Sequence, residues 1–331
     1  MRLISSVTRR FGAVLVTAAV TLSSVVGTLA ASPASRPPEL PDLAPETLDG
    51  IYGDNREYIE ASAARAEVDG HYERAETLRA LAQPGRQFLS FDARAEGRAV
   101  EVIGNLERAE VISILVPGAD VSIDTFDGEG RNPRALGASA RALYERSRAM
   151  SRERLAVVAW LGYETPDTFS LAVLNTDRAE EGAHELRAFV AALQQVNDAP
   201  IALMCHSYGS VVCGRAAIGD SSDERGLEVS DIAVFGSPGM GVGSADELAG
   251  EARLWAGRGS GDWISLVPNE SFSILGTTVG FGDDPTDPSF GALPLNAGDG
   301  GHSDYLKPGS PALDRLALIA SGNAVRVMAG G

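Results

Sequence analysis

Five short apolar runs recur through the middle of this chain. They are VISILV (111–116), LAVVAWL (155–161), IALMC (201–205), DIAVFG (231–236) and ARLWAG (252–257). Stretches with helical periodicity lie between or after them, at 133–150, 179–196, 209–218, 244–252 and 311–321. Continuous apolar strands alternate with helices when helices cover both faces of a parallel sheet. The pattern therefore predicts an α/β fold with a mostly parallel central sheet and helices on both faces.

Upstream of these runs the pattern changes. Residues 46–84 have a helical periodicity that is interrupted at Gly70. Two alternating runs follow, RQFLSFDA (86–93) and RAVEVIG (98–104), and they predict a β-hairpin. We expect an N-terminal helical segment at 46–84, followed by one α/β domain at 85–331 that begins with the hairpin.

Residues 1–30 have the composition of a secretory signal peptide. Arginines stand near the start, an uncharged apolar stretch follows, and small residues precede a cleavage site after Ala30. An uncleaved membrane anchor is the alternative, because the stretch is almost long enough to span a bilayer. We expect cleavage, a Pro-rich linker at 31–45, and a mature protein that is secreted or held in the cell envelope. No later stretch is long and apolar enough to cross a membrane, so we expect no stable membrane insertion after cleavage.

Composition restricts the class of partner. The chain has 331 residues, of which 44% are hydrophobic, and this is enough for a sizeable core. Its formal net charge is -17 and no basic run compensates it. Such a field repels nucleic acid and anionic surfaces. We expect no nucleic-acid partner, and the sequence leaves the oligomeric state open.

The run CHSYGS (205–210) contains the strongest candidate for a nucleophile. Ser207 lies between a strand-like run and a helix-like run, with Gly209 two residues after it, as in the G-x-S-x-G elbow. Cys205 takes the first small-residue position in place of glycine. The alternative, a serine that caps a helix, is less consistent with this combination. We expect His206 to pack at the strand top, because neighbouring side chains on a sharp turn point apart.

A serine hydroxyl needs a base that a third group orients. In folds that use this elbow, the chain order is serine, acid and then histidine. The four histidines are His71, His184, His206 and His302, and only His302 follows the serine. His302 is therefore the predicted base.

The acid must lie between Ser207 and His302. Asp262 comes directly after the strand-like run at 252–257, where a carboxylate would be held firmly. Alternatives remain in a Pro/Gly-rich loop, namely Asp283, Asp284 and Asp287. Asp262 is the preferred acid because that loop has no strand to position a carboxylate.

Acyl transfer also requires donors for the developing oxyanion. One donor in such folds is the N–H after the serine, here Tyr208, and the other comes from the loop after an earlier strand. The candidates lie in the VPG turn at 116–118 and at the residue directly after it. The N–H of Ala119 is preferred over that of Gly118. A plain turn with no such role is the alternative.

Cys205 and Cys213 are the only cysteines. An exported chain meets an oxidising compartment, which favours a disulfide. Strand and helix lie close at an elbow, and a Cα separation of about 6 Å is compatible with a bridge. The alternative is two buried thiols that act as small apolar side chains.

Other motif-like segments indicate no cofactor. The Gly-rich runs at 236–243 and 257–261 lack the strand-to-helix context of a dinucleotide loop. The acidic runs at 124–130 and 283–287 do not have the spacing of a calcium loop. We expect neither a metal nor a cofactor.

The elbow, the VPG turn and the order of the triad residues resemble the α/β-hydrolase superfamily. CHSYGSVVCG, DWISLVP, DPTDPSFGA and GHSDYL together are similar to a family of secreted actinobacterial α/β hydrolases whose substrate is largely unassigned. The resemblance covers about residues 85–325 and implies an α/β-hydrolase fold and a serine hydrolase.

The expected function is hydrolysis of a carboxylic ester through an acyl-enzyme. The substrate would be a small-molecule or acyl ester, with Ser207, His302 and Asp262 in the triad roles. A peptidase, an amidase or an acyltransferase could use the same triad. A non-catalytic cell-envelope binding protein on this scaffold is the alternative from a different class, because fold alone does not imply activity.

Overall fold

The structure is a computed structural model, and it describes most of the chain after residue 41. The described residues are 36–38, 42–128, 135–168, 177–218, 227–266, 272–274, 277–279 and 281–329. The predicted signal peptide and much of the Pro-rich linker lie outside them. In the described residues, no helix is long and apolar enough to cross a membrane.

The described strands form one large sheet and a separate two-stranded ribbon. The strands are β1 (Gln87–Asp92), β2 (Arg98–Gly104), β3 (Val111–Val116), β4 (Leu155–Leu161), β5 (Ile201–His206), β6 (Asp231–Phe235), β7 (Arg253–Gly257), β8 (Phe272–Ile274), β9 (Thr277–Val279) and β10 (Leu293–Pro294). The sheet has the order β1-β2-β4-β3-β5-β6-β7-β10, and β8 pairs with β9. The contacts β1–β2 and β2–β4 are antiparallel, and the remaining contacts in the sheet are parallel. The predicted hairpin and the mostly parallel sheet are confirmed.

Helices cover both faces of this sheet. They are α1 (Leu48–Val68), α2 (Tyr72–Leu81), α3 (Leu136–Met150), α4 (Asp177–Leu193), α5 (Gly209–Ala217), α6 (Pro311–Ala320) and α7 (Val325–Ala329). Side chains alternate along a strand, so β3 sends Leu115 into one hydrophobic cluster and Ile114 into the other. The first cluster includes Leu316 of α6, and the second includes Leu186 of α4. The predicted α/β layering is therefore confirmed.

One predicted helix is wrong. The pattern at 244–252 forms only a short 3-10 turn, Ala245–Glu247. Leu248 is extended, with φ -81° and ψ 132°, and Gly250 has φ +91°, which lies outside the helical region. The N–H of Ala249 donates to the Ala217 carbonyl at the end of α5 instead of to its own turn. Tertiary pairing and a glycine near the end outweigh the local helical periodicity.

Candidate active site

Ser207 lies on a sharp turn between β5 and α5. Its φ is +53°, a left-handed conformation that is uncommon for a residue other than glycine. Its N–H donates to the Phe235 carbonyl at the end of β6, at 3.1 Å. Strained backbone of this kind is found at functional sites, where surrounding structure holds it in place. The turn lies at the carboxyl ends of the parallel strands, where ligands bind in such sheets.

Two glycines allow the backbones around the turn to touch. A Cβ on Gly209 would lie 2.6 Å from the Pro117 carbonyl oxygen. A Cβ on Gly118 would lie 2.7 Å from the Cβ of Ser207 and 3.1 Å from its Oγ. The distances of 2.6 Å and 2.7 Å are shorter than real Cβ contacts, so a side chain at either glycine would displace the turn. The loop after β3 is therefore in direct contact with Ser207.

Cys205 and Cys213 form a disulfide across the turn. Their Cα atoms are 6.5 Å apart and both residues are buried. The bond ties the end of β5 to the second turn of α5. The structure thus contains the bridge, and not the alternative pair of free thiols.

The structure brings Ser207, His302 and Asp262 together in one hydrogen-bonded line. His302 lies in the loop between β10 and α6, and its Nε2 is 2.9 Å from the Ser207 Oγ. Its Nδ1 is 2.9 Å and 3.1 Å from the two carboxylate oxygens of Asp262, just past β7. An Nδ1–H that donates to the carboxylate leaves Nε2 as the acceptor for the serine proton.

Two of the three alternative carboxylates, Asp284 and Asp287, have other partners, and Asp283 has no contact with His302 in the described residues. Asp284 pairs with Arg258 at 2.7 Å and accepts from Thr286. Asp287 accepts from the N–H and the hydroxyl of Ser289. These contacts do not involve the imidazole of His302, whereas Asp262 bonds to it through both oxygens.

Asp262 is buried and remains a carboxylate. Burial alone would raise its pKa, but hydrogen bonds from His302, Tyr305 and the N–H of Ile264 outweigh burial and hold the pKa below its ordinary value. The Tyr305 hydroxyl donates to Asp262 Oδ2 and accepts from the N–H of Gly259. Burial and the adjacent carboxylate raise the pKa of Tyr305, so it keeps the proton that it donates. Tyr305 was not predicted as a site residue: it lies in the GHSDYL block three residues after His302, but nothing in that block indicates a contact with Asp262.

His206 has a contact that the sequence did not predict. Its ring packs on Phe235 with centroids 5.3 Å apart, in agreement with the expected packing at the strand top. In addition, its Nε2 lies 2.8 Å from the backbone carbonyl of His302 and, as the N–H tautomer, donates to it. The residue beside the nucleophile thus bonds to the loop that carries the histidine.

The loop after β3 places backbone N–H groups beside Ser207. Gly118, Ala119 and Tyr208 all line the cavity that contains the serine. Among the described residues, the N–H groups of Gly118 and Ala119 have no hydrogen-bond acceptor. The buried hydroxyl of Tyr163 donates to the Pro117 carbonyl at 2.8 Å and helps to hold this loop. The arrangement can offer donors to a developing oxyanion.

A second set of contacts fixes the same loop from its far end. Asp120 has φ +61°, and its N–H donates to the Pro166 carbonyl. Its carboxylate accepts from the N–H and the hydroxyl of Thr168, at 2.9 Å and 2.5 Å. The N–H of Val121 donates to Thr165 Oγ1 at 3.1 Å. Asp and Asn tolerate the left-handed conformation better than most residues, which accounts for an acid at this position.

Ser207 opens onto a cavity of about 570 Å³. Trp263 borders this cavity, and the centroid of its ring lies 4.7 Å from that of the His302 ring. The Trp263 side chain is 45% exposed.

In the part of the chain that the structure describes, no group of three or more histidine, cysteine or carboxylate side chains could hold a metal ion. Part of the acidic run at 124–130 lies outside the described residues.

Comparisons with known proteins place this chain in a family. The sequence model described as alpha/beta hydrolase matches residues 92–271, more than half of the chain. An uncharacterized protein of Mycobacterium tuberculosis is 28% identical over 234 residues, which cover 67% of this chain and 83% of that protein. A second uncharacterized protein of that species is 28% identical over 255 residues, or 69% of this chain and 37% of that protein. These relatives agree with the actinobacterial resemblance in the sequence.

Solved structures are more distant. Esterase PE8 is 18% identical, with a TM-score of 0.40, and the match covers 68% of this chain and 97% of that chain. Esterase LipW from Mycobacterium marinum is 14% identical, with a TM-score of 0.42, and the match covers 90% of this chain and 99% of that chain. The sequence model of the alpha/beta hydrolase family matches more than half of the chain, and the chain therefore belongs to that family.

Proposed function

We propose that this protein is a serine hydrolase that cleaves carboxylic esters. The observation that carries the proposal is the line of hydrogen bonds from Asp262 through His302 to the Oγ of Ser207. A nucleophile within hydrogen-bond reach of a base, which a third group orients, is the arrangement that activates a serine hydroxyl. An isolated structural serine needs no such arrangement.

The geometry supports the following sequence of events. His302 Nε2 removes the proton from Ser207 Oγ as the oxygen attacks the ester carbonyl. Asp262 holds the imidazole by its Nδ1–H and stabilises the imidazolium that forms. The imidazolium then gives its proton to the leaving alcohol, and an acyl-enzyme remains. His302 next takes a proton from water as the water oxygen attacks the acyl carbon, and the imidazolium then returns a proton to Ser207 Oγ as the carboxylic acid leaves.

The tetrahedral intermediates carry an oxyanion that needs donors. We assign this role to the N–H of Tyr208, which follows the nucleophile, and to the N–H of Ala119, with Gly118 as the alternative. The contact of Gly118 with Ser207 brings this loop within reach of the reacting carbon. Fixed donors of this kind act on charge that develops only during reaction.

We also propose that the protein acts outside the cytoplasm. The composition of residues 1–30 and the buried Cys205–Cys213 bridge support this location, because disulfides persist in oxidising compartments. Sequencing the N-terminus of protein from culture medium or cell envelope tests it. A mature chain that begins at Ala31 is expected, and protein found only inside the cell with Met1 retained would refute export.

Turnover of a chromogenic 4-nitrophenyl ester tests the activity. Ser207→Ala should lower kcat/KM by at least about 1,000-fold, and Asp262→Asn should also lower it strongly. Ser289→Ala is the matched control, because Ser289 is exposed and its hydroxyl bonds to Asp287, away from the cavity. The proposal fails if wild-type protein hydrolyses no ester, or if Ser207→Ala and Ser289→Ala have equal rates.

A further inference from the structure

The inner wall of the cavity is built from core side chains. Leu115, Leu136, Phe235 and Leu306 line it, and all four are buried members of the hydrophobic cluster on one face of the sheet. A ligand group that enters here replaces no polar contact of the protein. Burial of apolar area is then the main source of binding free energy on this side.

The outer wall is also apolar. Ile264 and Phe281 are buried there, and the half-exposed Trp263 stands at the rim. The volume of about 570 Å³ lies within the range of sites that enclose small molecules. The cavity therefore has room for an extended chain beside the reacting carbonyl.

The described residues that line the cavity carry a formal charge of one sign. Among the described residues that line it, none is an arginine or a lysine, and Asp120 is the only carboxylate. The two oxygens of Asp120 accept from Thr168, and no cation pairs with this carboxylate in the described part of the chain. The whole chain adds a formal net charge of -17. An anionic ligand would meet repulsion on approach and no cationic side chain among the described residues of the lining.

From these three observations we propose that the site selects uncharged esters with an apolar acyl chain of medium length, and rejects acyl groups that end in a carboxylate. This inference rests on the proposed function and names the substrate class of the same site. Each methylene added to the acyl chain gains up to about fourfold in kcat/KM while it is buried. An ester whose acyl chain ends in a carboxylate loses that gain in kcat/KM, because the charged group enters the cavity without a cationic partner.

A set of matched 4-nitrophenyl esters tests the inference. The acetate, butyrate and hexanoate vary the length, and the half-ester of adipic acid keeps the six-carbon length but has a carboxylate in place of the terminal methyl group. The methyl-capped adipate has the same carboxyl group as an uncharged methyl ester. We expect hexanoate to exceed acetate by at least about tenfold in kcat/KM, and to exceed the adipate half-ester by at least about 100-fold. The capped adipate should recover most of that loss.

A variant pair then tests the charge argument directly. Ser139 is half-buried on α3 and lines the cavity, so Ser139→Arg places a cation beside the acyl chain, and Ser139→Gln adds length without charge. The rate on the adipate half-ester relative to hexanoate should rise about tenfold in the arginine variant and stay unchanged in the glutamine variant.

The outcomes separate the two levels of the proposal. If no ester in the set is hydrolysed, the proposed function itself fails. If the esters are hydrolysed but the half-ester is cleaved as fast as hexanoate, or acetate is the best substrate, only the substrate class is wrong. An equal ratio in Ser139→Arg and Ser139→Gln would overturn charge as the cause of selection.

Discussion

The nucleophile and its base are held in different ways. The elbow segment (205–213) is fixed by a disulfide, by a backbone hydrogen bond from Ser207 to Phe235, and by glycine contacts with the loop after β3. The base loop (295–310), which carries His302, packs on the core through Tyr305 and Leu306 and has side-chain hydrogen bonds at the site. Tyr305 bonds to Asp262, and His206 bonds to the His302 carbonyl.

This difference sets how each region responds to substitution. The elbow segment depends on shape, so a single added carbon in the wrong place displaces the reacting oxygen. The base loop depends on separate hydrogen bonds, and removal of one leaves the others. We expect abrupt losses of activity from changes that crowd the elbow segment and graded losses from changes that affect the base loop.

Among changes outside the triad, Gly118→Ala should have the largest effect. Its Cβ would lie 2.7 Å from the Ser207 Cβ and 3.2 Å from the His206 carbonyl oxygen, so the turn must move. A shift of this kind at a nucleophile lowers kcat/KM by at least about 100-fold. Steady-state kinetics and circular dichroism would show lost activity in a folded protein.

The matched control is Gly50→Ala on α1, where an added Cβ has no heavy atom within 4 Å. It should keep full activity and raise the free energy of unfolding by up to about 1 kcal/mol, because alanine favours the helix. Full activity in Gly118→Ala would contradict the close contact at the elbow segment.

Tyr305→Phe should have a smaller effect. It removes one hydrogen bond to the Asp262 carboxylate and leaves the N–H of Gly259 without this acceptor. A hydrogen bond to a charged group corresponds to a loss of about 10- to 100-fold in kcat. KM should change little, since Tyr305 acts through Asp262 and not on the ester. An equal rise in KM with unchanged kcat would count against this role.

The same variant has a pH signature in stability. The pKa of Asp262 is lowered in the folded protein, so its contribution is complete above the unfolded value, about 3.9, and is lost as the pH falls through the folded value. Tyr305→Phe raises that folded pKa towards its ordinary value. Denaturant unfolding should therefore show a larger loss of stability at pH 7 than at about pH 3. An equal loss at both pH values would mean that the bond is not to a carboxylate.

His206→Phe should have a weaker effect still. Phenylalanine keeps the ring packing on Phe235 but cannot donate to the His302 carbonyl. Loss of a neutral hydrogen bond corresponds to about a two- to tenfold decrease in kcat. His206→Gln retains an N–H donor and should recover part of the loss. The proposed link to the base loop is wrong if the two variants behave alike.

Removal of the disulfide should affect activity least. In Cys205→Ala/Cys213→Ala the glycine contacts and the Ser207 backbone bond remain, so kcat/KM should stay within about twofold of wild type. The free energy of unfolding should fall by about 2.5 kcal/mol, because the bridge closes a loop with a sequence separation of 8. Chemical denaturation measures the loss. A collapse of activity at full stability would show that the bridge, and not packing, shapes the turn.

The same contrast explains how much the sequence could predict. The elbow pattern around Ser207 is local, and chain order alone singled out His302, so these features and seven strands of the sheet were accessible, whereas the two-residue strand β10 was not predicted. Asp262 could be preferred because it follows a strand. Tyr305 could not be identified, since its contact with Asp262 depends on how the base loop folds back.

Two further features depend on tertiary contacts in the same way. The left-handed backbone of Asp120 is linked to Thr168, which lies 48 positions further along the chain, and no short motif encodes that pairing. The helical periodicity at 244–252 gave a wrong prediction, because the Ala249 N–H bonds to Ala217. Local patterns predicted elements and their order, whereas contacts between distant loops required the structure.

The most direct test of the central claim is labelling with a fluorophosphonate, followed by peptide mass spectrometry. An activated serine should give one adduct, on Ser207, and His302→Ala should slow labelling by at least about 1,000-fold. Equal labelling of Ser207→Ala and wild type, or a rate that does not change in His302→Ala, would contradict the account.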